Sequence, residues 1–169
     1  MPLPALLFFT DPARTPDPLY AVAALPQGSA VVLRMFGADD APAQARAMRQ
    51  ATRARGVLLL VGADPRLAIL ARADGVHLPE RLACRARRIK AAHPGWIVTA
   101  AAHSLMAARR ARLAGADAVV VSPAFPSASP SAGRPLGALR LAALVRGAGG
   151  PAYALGGVNA RTAARLKDL

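Results

Sequence analysis

The sequence predicts an α/β fold, a TIM-type (β/α) barrel trimmed to seven readable βα units, with one domain over residues 1–169. Three observations carry this reading. Short apolar runs alternate with Ala/Arg-rich amphipathic segments along the chain, and that alternation implies parallel βαβ units. Polar residues recur just after the apolar runs, where such a barrel keeps its chemistry. No Gly-x-Gly-x-x-Gly turn follows the first strand, which weakens an open dinucleotide-binding sheet as the alternative.

Taken in order, Leu6–Phe9 reads as the first strand, closed by the turn Thr10-Asp11-Pro12. Ala30–Met35 is the second, and a helix follows over Ala41–Ala54 with Asp39 or Asp40 placed to cap it. Gly56–Val61 is an unbroken apolar run, as expected of a parallel strand covered on both faces. Asp64-Pro65 opens a short helix to Arg72, with proline in its first turn. Ala73–Leu78 holds the fourth strand and Glu80–Ala92 the helix after it. Trp96–Ala101 is the fifth strand, Ser104–Ala114 its helix, and Gly115 the residue that ends that helix. Asp117–Val121 is the sixth strand, and Ser122–Gly137 is a loop by its Ser, Pro and Gly content. Leu139–Arg146 reads as a helix, Ala152–Leu155 as the seventh strand, and Asn159–Lys167 as a last helix capped by Asn159. An eighth strand cannot be read. The open edge this leaves is expected to be covered by a second copy, as a homo-oligomer.

Hydrophobic residues make up 54% of the chain but aromatics only 4%, so alanine, valine and leucine must do most of the packing. No apolar run is long enough to span a bilayer. The start, with Pro2 and Pro4 and no basic stretch, does not read as a signal peptide. Cys84 is the only cysteine, which excludes a disulfide framework and suits a reducing compartment. A cytoplasmic location without a membrane partner is the expectation. The net charge of +13 is almost all arginine, since Lys90 and Lys167 are the only lysines. Such charge suits an anionic partner, nucleic acid or a phosphorylated substrate. Yet Arg46, Arg49 and Arg53, and Arg81, Arg85 and Arg88, recur at helical spacing and read more simply as solvated helix faces. With four Phe, one Trp and two Tyr there is little to stack bases on, and nucleic acid is not expected.

The polar residues at the ends of the apolar runs are Thr10 and Asp11, Arg34, Asp64, His77, His103, Ser122 with its loop, and Gly156-Gly157. His103, after the fifth strand, is an imidazole able to exchange protons near neutral pH. His77 reads either as a hydrogen-bonded core histidine or as a substrate contact. His93, before Pro94, reads as a loop residue. Arg34 suits bidentate binding of an anion, and equally a salt bridge at the rim. Gly156-Gly157, just ahead of Val158 and Asn159, leaves backbone amides bare at a helix N-terminus. That suits a phosphate, although a tight turn alone would use the same pair.

These segments, in order over nearly the whole chain, resemble the thiamin-phosphate synthase and thiazole tautomerase family. Phe8-Phe9-Thr10-Asp11-Pro12 is similar to the family's opening strand and turn, and Val31-Val32-Leu33-Arg34 to its substrate-binding second strand. Ala73-Asp74-Gly75-Val76-His77-Leu78 is near-identical to the family's Ala-Asp-Gly-Val-His-Leu. Ala102-His103-Ser104 and Ala114-Gly115-Ala116-Asp117 follow its fifth and sixth units. Ser122-Pro123-Ala124-Phe125-Pro126-Ser127 resembles its Gly-Pro-x-Phe-Pro-Thr loop, and Ala154-Leu155-Gly156-Gly157-Val158 its Ala-Ile-Gly-Gly-Ile.

The resemblance implies one of two reactions. The synthase joins a pyrimidine diphosphate to a thiazole phosphate, releasing pyrophosphate with the help of Mg2+; the tautomerase moves protons on a thiazole carboxylate phosphate and needs no cofactor. Several family positions are changed. Its strand-two Gln-x-Arg-x-Lys corresponds to Val32, Arg34 and Phe36, and its Asn-Asp after strand three to Gly62-Ala63, with Asp64 one place late. Its second metal-binding Asp corresponds to Leu82, and its loop lysine to Pro130, with Arg134 the nearest basic residue. Magnesium prefers carboxylate and phosphate oxygens, and the chain has one Glu and eight Asp in all. The expectation is therefore metal-independent, tautomerase-like acid–base chemistry on a thiazole phosphate. In that reading His103 moves the proton, Arg34 binds the carboxylate, His77, Ser122 and Ser127 contact the substrate, and Gly156 and Gly157 hold the phosphate. The alternatives are a synthase, with Asp64 and Glu80 recruited to Mg2+, and a non-catalytic binder of thiamin-pathway phosphates.

Overall fold

The structure is a computed structural model and describes residues 2–12, 14–35, 37–127 and 133–167. The strands are β1 (Leu7–Phe9), β2 (Ala30–Leu33), β3 (Leu58–Gly62), β4 (Gly75–Leu78), β5 (Ile97–Ala102), β6 (Ala118–Val121) and β7 (Ala152–Ala154). The helices are α1 (Pro18–Ala23), α2 (Ala41–Ala54), α3 (Pro65–Leu70), α4 (Ala86–Ala92), α5 (Leu105–Leu113), α6 (Gly137–Ala148) and α7 (Ala160–Ala163). The seven strands hydrogen-bond in the order in which they occur along the chain. Pairing is parallel, as in Leu7 with Ala30, Val31 with Leu59, Val61 with Val76 and Ala100 with Val119. Among the described residues no helix is long and apolar enough to cross a membrane.

The strands lie where the apolar runs place them, with ends moved by one or two residues; β3 and β5 each start later and run one residue further than expected. Two helical segments differ from the reading. The helix expected over Glu80–Ala92 begins as a 3-10 turn, Glu80–Arg85, before α4. Leu82 N–H bonds to the Pro79 carbonyl three residues back, which winds the chain more tightly than an α-helix. Likewise the last helix is α-helical only over α7 and continues as a 3-10 turn, Ala164–Leu166. Helix α1 was not expected at all. It starts as α3 does: Asp17 accepts the N–H groups of Leu19 and Tyr20, and Pro18 occupies the first turn. In α3, Asp64 accepts from Arg66 and Leu67, with Pro65 in the same place.

The chain forms two compact units, Met1–His77 with Ile89–Val98, and Leu78–Arg88 with Thr99–Leu169. In the first, Ala30, Val32, Leu60 and Ile97 form a buried cluster against which Leu3, Leu7, Phe9 and Leu58 pack. Asp74 braces it. The Asp74 carboxylate accepts from the Arg49 guanidinium at 2.7 Å and from the Leu59 N–H at 2.8 Å. Its own N–H donates to the Leu59 carbonyl, and its carbonyl accepts from Ile97 N–H. Arg49 is therefore not on a solvated face, as its spacing with Arg46 and Arg53 suggested; a carboxylate below α2 turns it inward, while Arg46 and Arg53 stay exposed. The next residue has to be glycine, because a Cβ on Gly75 would lie 1.9 Å from the Ile97 carbonyl oxygen. Nearby, in the turn between α4 and β5, the Trp96 and His93 rings stack with centroids 4.0 Å apart.

In the second unit the helices pack through small residues. Ala107, Ala108 and Ala111 of α5 and Leu141, Ala142 and Leu144 of α6 are buried, and α5 packs on α6. Arginines close the ends of these helices. Arg87 donates to the Leu113 carbonyl at the end of α5, and Arg109 to the Gly147 carbonyl near the end of α6. Removing one partner of a largely buried, hydrogen-bonded ion pair leaves the other charge uncompensated. We expect Asp74→Ala to lower the unfolding free energy by about 3 kcal/mol, read from the urea midpoint, with Arg46→Ala on the exposed face changing it little.

Candidate functional site

In the first unit the end of β1 holds the end of β2. Buried Thr10 accepts the Arg34 N–H on its hydroxyl at 2.9 Å and the Arg34 Nε–H on its carbonyl at 2.7 Å. Asp11 accepts from Arg34 Nη2 at 3.1 Å and from Arg14 at 2.6 Å. Arg34 is thus anchored as a rim ion pair, its guanidinium fixed at the C-terminal end of β2.

His77 lies within β4, buried, with its ring edge-on to Phe9 at 4.9 Å. Burial, and then the positive charge of Arg34, lower its pKa from 6.5 to about 4. At neutral pH it is an uncharged imidazole that can donate and accept a hydrogen bond.

In the second unit the ends of β5 and β6 meet the turn after β4. The exposed His103 donates its backbone N–H to Glu80 Oε2 at 2.9 Å. Its Nδ1 is 2.8 Å from the Ser122 carbonyl oxygen and 3.3 Å from Ser122 Oγ. A carbonyl oxygen only accepts, so in the neutral ring the hydrogen sits on Nδ1 and the Nε2 lone pair is left to act as a base. Ser104 starts α5 by accepting the Ala107 N–H. The arrangement joins Glu80, His103 and Ser122; of these, Glu80 was read only as a carboxylate for a metal.

The segment after Ser122 lies along the turn between β7 and α7. Ala124 and Phe125 donate N–H bonds to the carbonyls of Leu155 and Gly156. Gly156 and Gly157 both have positive φ, +91° and +64°. A Cβ on Gly157 would come within 2.3 Å of the Pro126 carbonyl oxygen, so this close approach by itself accounts for a glycine there. Asn159 caps α7 by accepting the N–H groups of Arg161 and Thr162 at 3.0 Å each. Ser127 is half-buried in the same loop.

The carboxylates do not fit a resident Mg2+. Asp64 is engaged as the cap of α3, and Glu80 holds His103 and lies 4.0 Å from Arg110. Leu82 offers no ligand, and among the described residues no three His, Cys, Asp or Glu side chains are grouped to hold a metal. Two of the changed family positions, Phe36 and Pro130, lie outside the described residues.

The His77 environment has a consequence for stability. Folding disfavours the cationic ring, so its contribution is complete above about pH 6.5 and lost as pH falls toward 4. We expect wild type to lose about 3 kcal/mol more stability than His77→Gln between pH 7 and pH 4, measured by urea unfolding at each pH.

Comparison with known proteins agrees with the motif order. The sequence model described as thiamine monophosphate synthase matches residues 6–169. The chain is 38% identical over 143 residues to a thiamine-phosphate synthase from Thiobacillus denitrificans, covering 83% of this chain and 68% of that protein. It is 37% identical over 133 residues to one from Methanoculleus marisnigri, covering 77% of this chain and 61% of that protein. The chain thus spans about three fifths to two thirds of the length of these relatives. A solved thiamine phosphate pyrophosphorylase from Pyrococcus furiosus superimposes with a TM-score of 0.78 at 26% identity, covering 97% of this chain and 80% of that one. This likeness supports the TIM-type (β/α) barrel read from the sequence. The chain belongs to the thiamine monophosphate synthase family.

Proposed function

We propose that the chain carries out the reaction for which its relatives are named, joining a pyrimidine diphosphate to a thiazole phosphate. The observation that carries this is the 38% identity to a thiamine-phosphate synthase over 83% of the chain. In that reaction the bond between the pyrimidine methylene carbon and the diphosphate breaks, the thiazole nitrogen bonds to that carbon, and pyrophosphate leaves. In this reading the Gly156-Gly157 turn takes the thiazole phosphate through its backbone amides. Within the first unit, taken by itself, Arg34 offers positive charge to an anionic group, and neutral His77 offers a hydrogen bond. No step is assigned to a protein-held metal, since the carboxylates at the family's positions are absent or engaged.

A second reading is favoured by one observation, the orientation of His103. With Nδ1–H given to the Ser122 carbonyl, the Nε2 lone pair of the neutral ring would in this reading take a proton from a substrate and return it elsewhere. That is what a metal-independent thiazole tautomerase requires, with Ser122 and Ser127 beside the substrate.

The two readings separate in one assay series. With both substrates and Mg2+ in the buffer, the synthase reading expects thiamin phosphate and pyrophosphate in equal amounts; neither product at saturating substrate rules it out. With a thiazole carboxylate phosphate alone in deuterated water, the proton-transfer reading expects isomerisation with deuterium uptake. His103→Ala should then lower the rate by about two to four orders of magnitude while the thermal melt is unchanged. A rate equal to wild type removes His103 from the chemistry. Thermal stabilisation by the thiazole phosphate with no product in either assay would identify a binder.

A further inference from the structure

Glu80 is the chain's only glutamate. It opens the 3-10 turn after β4, preceded by Pro79, which has extended backbone. Its carboxylate is only half-buried, and its bond is made to a backbone group across 23 residues of sequence: Oε2 accepts the His103 N–H at 2.9 Å. The other oxygen lies 4.0 Å from Arg110, an exposed and weak pairing. His103 itself is exposed and sits in the short turn between β5 and α5. Polar contacts with Glu80 and Ser122 hold it: the Glu80 carboxylate at its amide, and the Ser122 carbonyl and hydroxyl at Nδ1. Glu80 fixes the peptide from which the Cα–Cβ bond departs, and the Ser122 carbonyl collects Nδ1–H at 2.8 Å.

We propose that Glu80 is a positioning residue for His103, holding the histidine so that Nδ1–H meets the Ser122 carbonyl and Nε2 stays unprotonated. Glu80 does not touch substrate. It acts through the amide of His103, and its loss lets the turn relax and the ring leave Ser122. A free imidazole favours the hydrogen on Nε2, so the released ring reverts to the tautomer in which Nε2 is a donor and no longer a base. The consequence for turnover rests on the proton-transfer reading above; the tautomer itself does not.

The test is nitrogen-15 NMR of the imidazole of His103 in the full chain, assigned with His103→Gln, above the pH at which the ring is protonated. Wild type is expected to show Nδ1 protonated and Nε2 unprotonated. Glu80→Gln, which keeps an oxygen acceptor for the His103 amide, is expected to retain that pattern. Glu80→Ala and Glu80→Met, the latter keeping side-chain length without the acceptor, are expected to shift toward Nε2–H and to speed exchange of the His103 amide. Arg110→Ala is expected to change neither. If the chain isomerises the thiazole substrate, Glu80→Met should lower kcat about tenfold to hundredfold with KM nearly unchanged, and Glu80→Gln should recover most of it. A wild-type ring protonated on Nε2, or a wild-type pattern kept in either variant lacking the acceptor, overturns the proposal. Absence of turnover in wild type would remove the proton-transfer reading alone, because the NMR result still decides what Glu80 does.

Discussion

The first unit is organised around a peptide with no room to spare. At Asp74-Gly75 the chain enters β4, and both residues are determined by what lies beside them. The Asp74 main chain bonds to Leu59 and Ile97, its carboxylate takes a second amide from Leu59, and Arg49 of α2 neutralises it. Gly75 then passes so close to the Ile97 carbonyl that no side chain fits. One dipeptide thereby ties β3, β5 and the overlying helix to β4, the strand that carries His77. The cost of errors here is high because a half-paired buried charge is worse than none. The near-identity of this segment to the family's motif has a structural explanation before any catalytic one.

The excess of arginine also has a structural use. With 22 basic and 9 acidic residues, most arginines cannot find a carboxylate. Three in the second unit take carbonyl oxygens instead: half-buried Arg112 bonds to Ala116, and the exposed Arg87 and Arg109 bond to the ends of α5 and α6. Helix C-termini expose unpaired carbonyls and carry partial negative charge, so a guanidinium is well matched there. Part of what looks in the sequence like an electrostatic footprint for a polyanion is thus engaged in closing helices. The remaining exposed arginines, such as Arg81, Arg85 and Arg88, are the solvated faces their spacing suggested.

Repeating local pattern was readable and long-range pairing was not. The apolar runs located all seven strands and the amphipathic period located α2 to the residue, because both depend on neighbours a few positions away. The expected aspartate cap is not made, since Asp40 stands at the helix start but its carboxylate accepts from the Gln44 side chain. Helix α1 was missed although Asp17-Pro18 repeats the Asp64-Pro65 device that had been used to place α3; its short apolar stretch offered no period to confirm it. The inward turn of Arg49 depends on Asp74, 25 residues on, and no helical spacing can show which of several arginines faces a carboxylate. The same holds at the candidate site. His103 and Ser122 were singled out separately as residues at strand ends, but the bond between them spans 19 residues and the one from Glu80 spans 23. Glu80 drew notice only as a carboxylate and Asp64 as a helix opener and possible metal ligand, and folding engages both with backbone amides.

The stacking of Trp96 on His93 has a practical consequence. Trp96 is the chain's only tryptophan, and it belongs to the unit formed by residues 1–77 and 89–98. Its emission therefore observes that unit, and a tryptophan-detected melt is silent about residues 99–167, where Tyr153 is the aromatic chromophore with a hydroxyl. An imidazole in face-to-face contact with the indole also makes its emission report that contact, which ends when the turn between α4 and β5 opens. Light emitted by this protein is a local signal, and two optical probes are needed before its unfolding can be treated as one event.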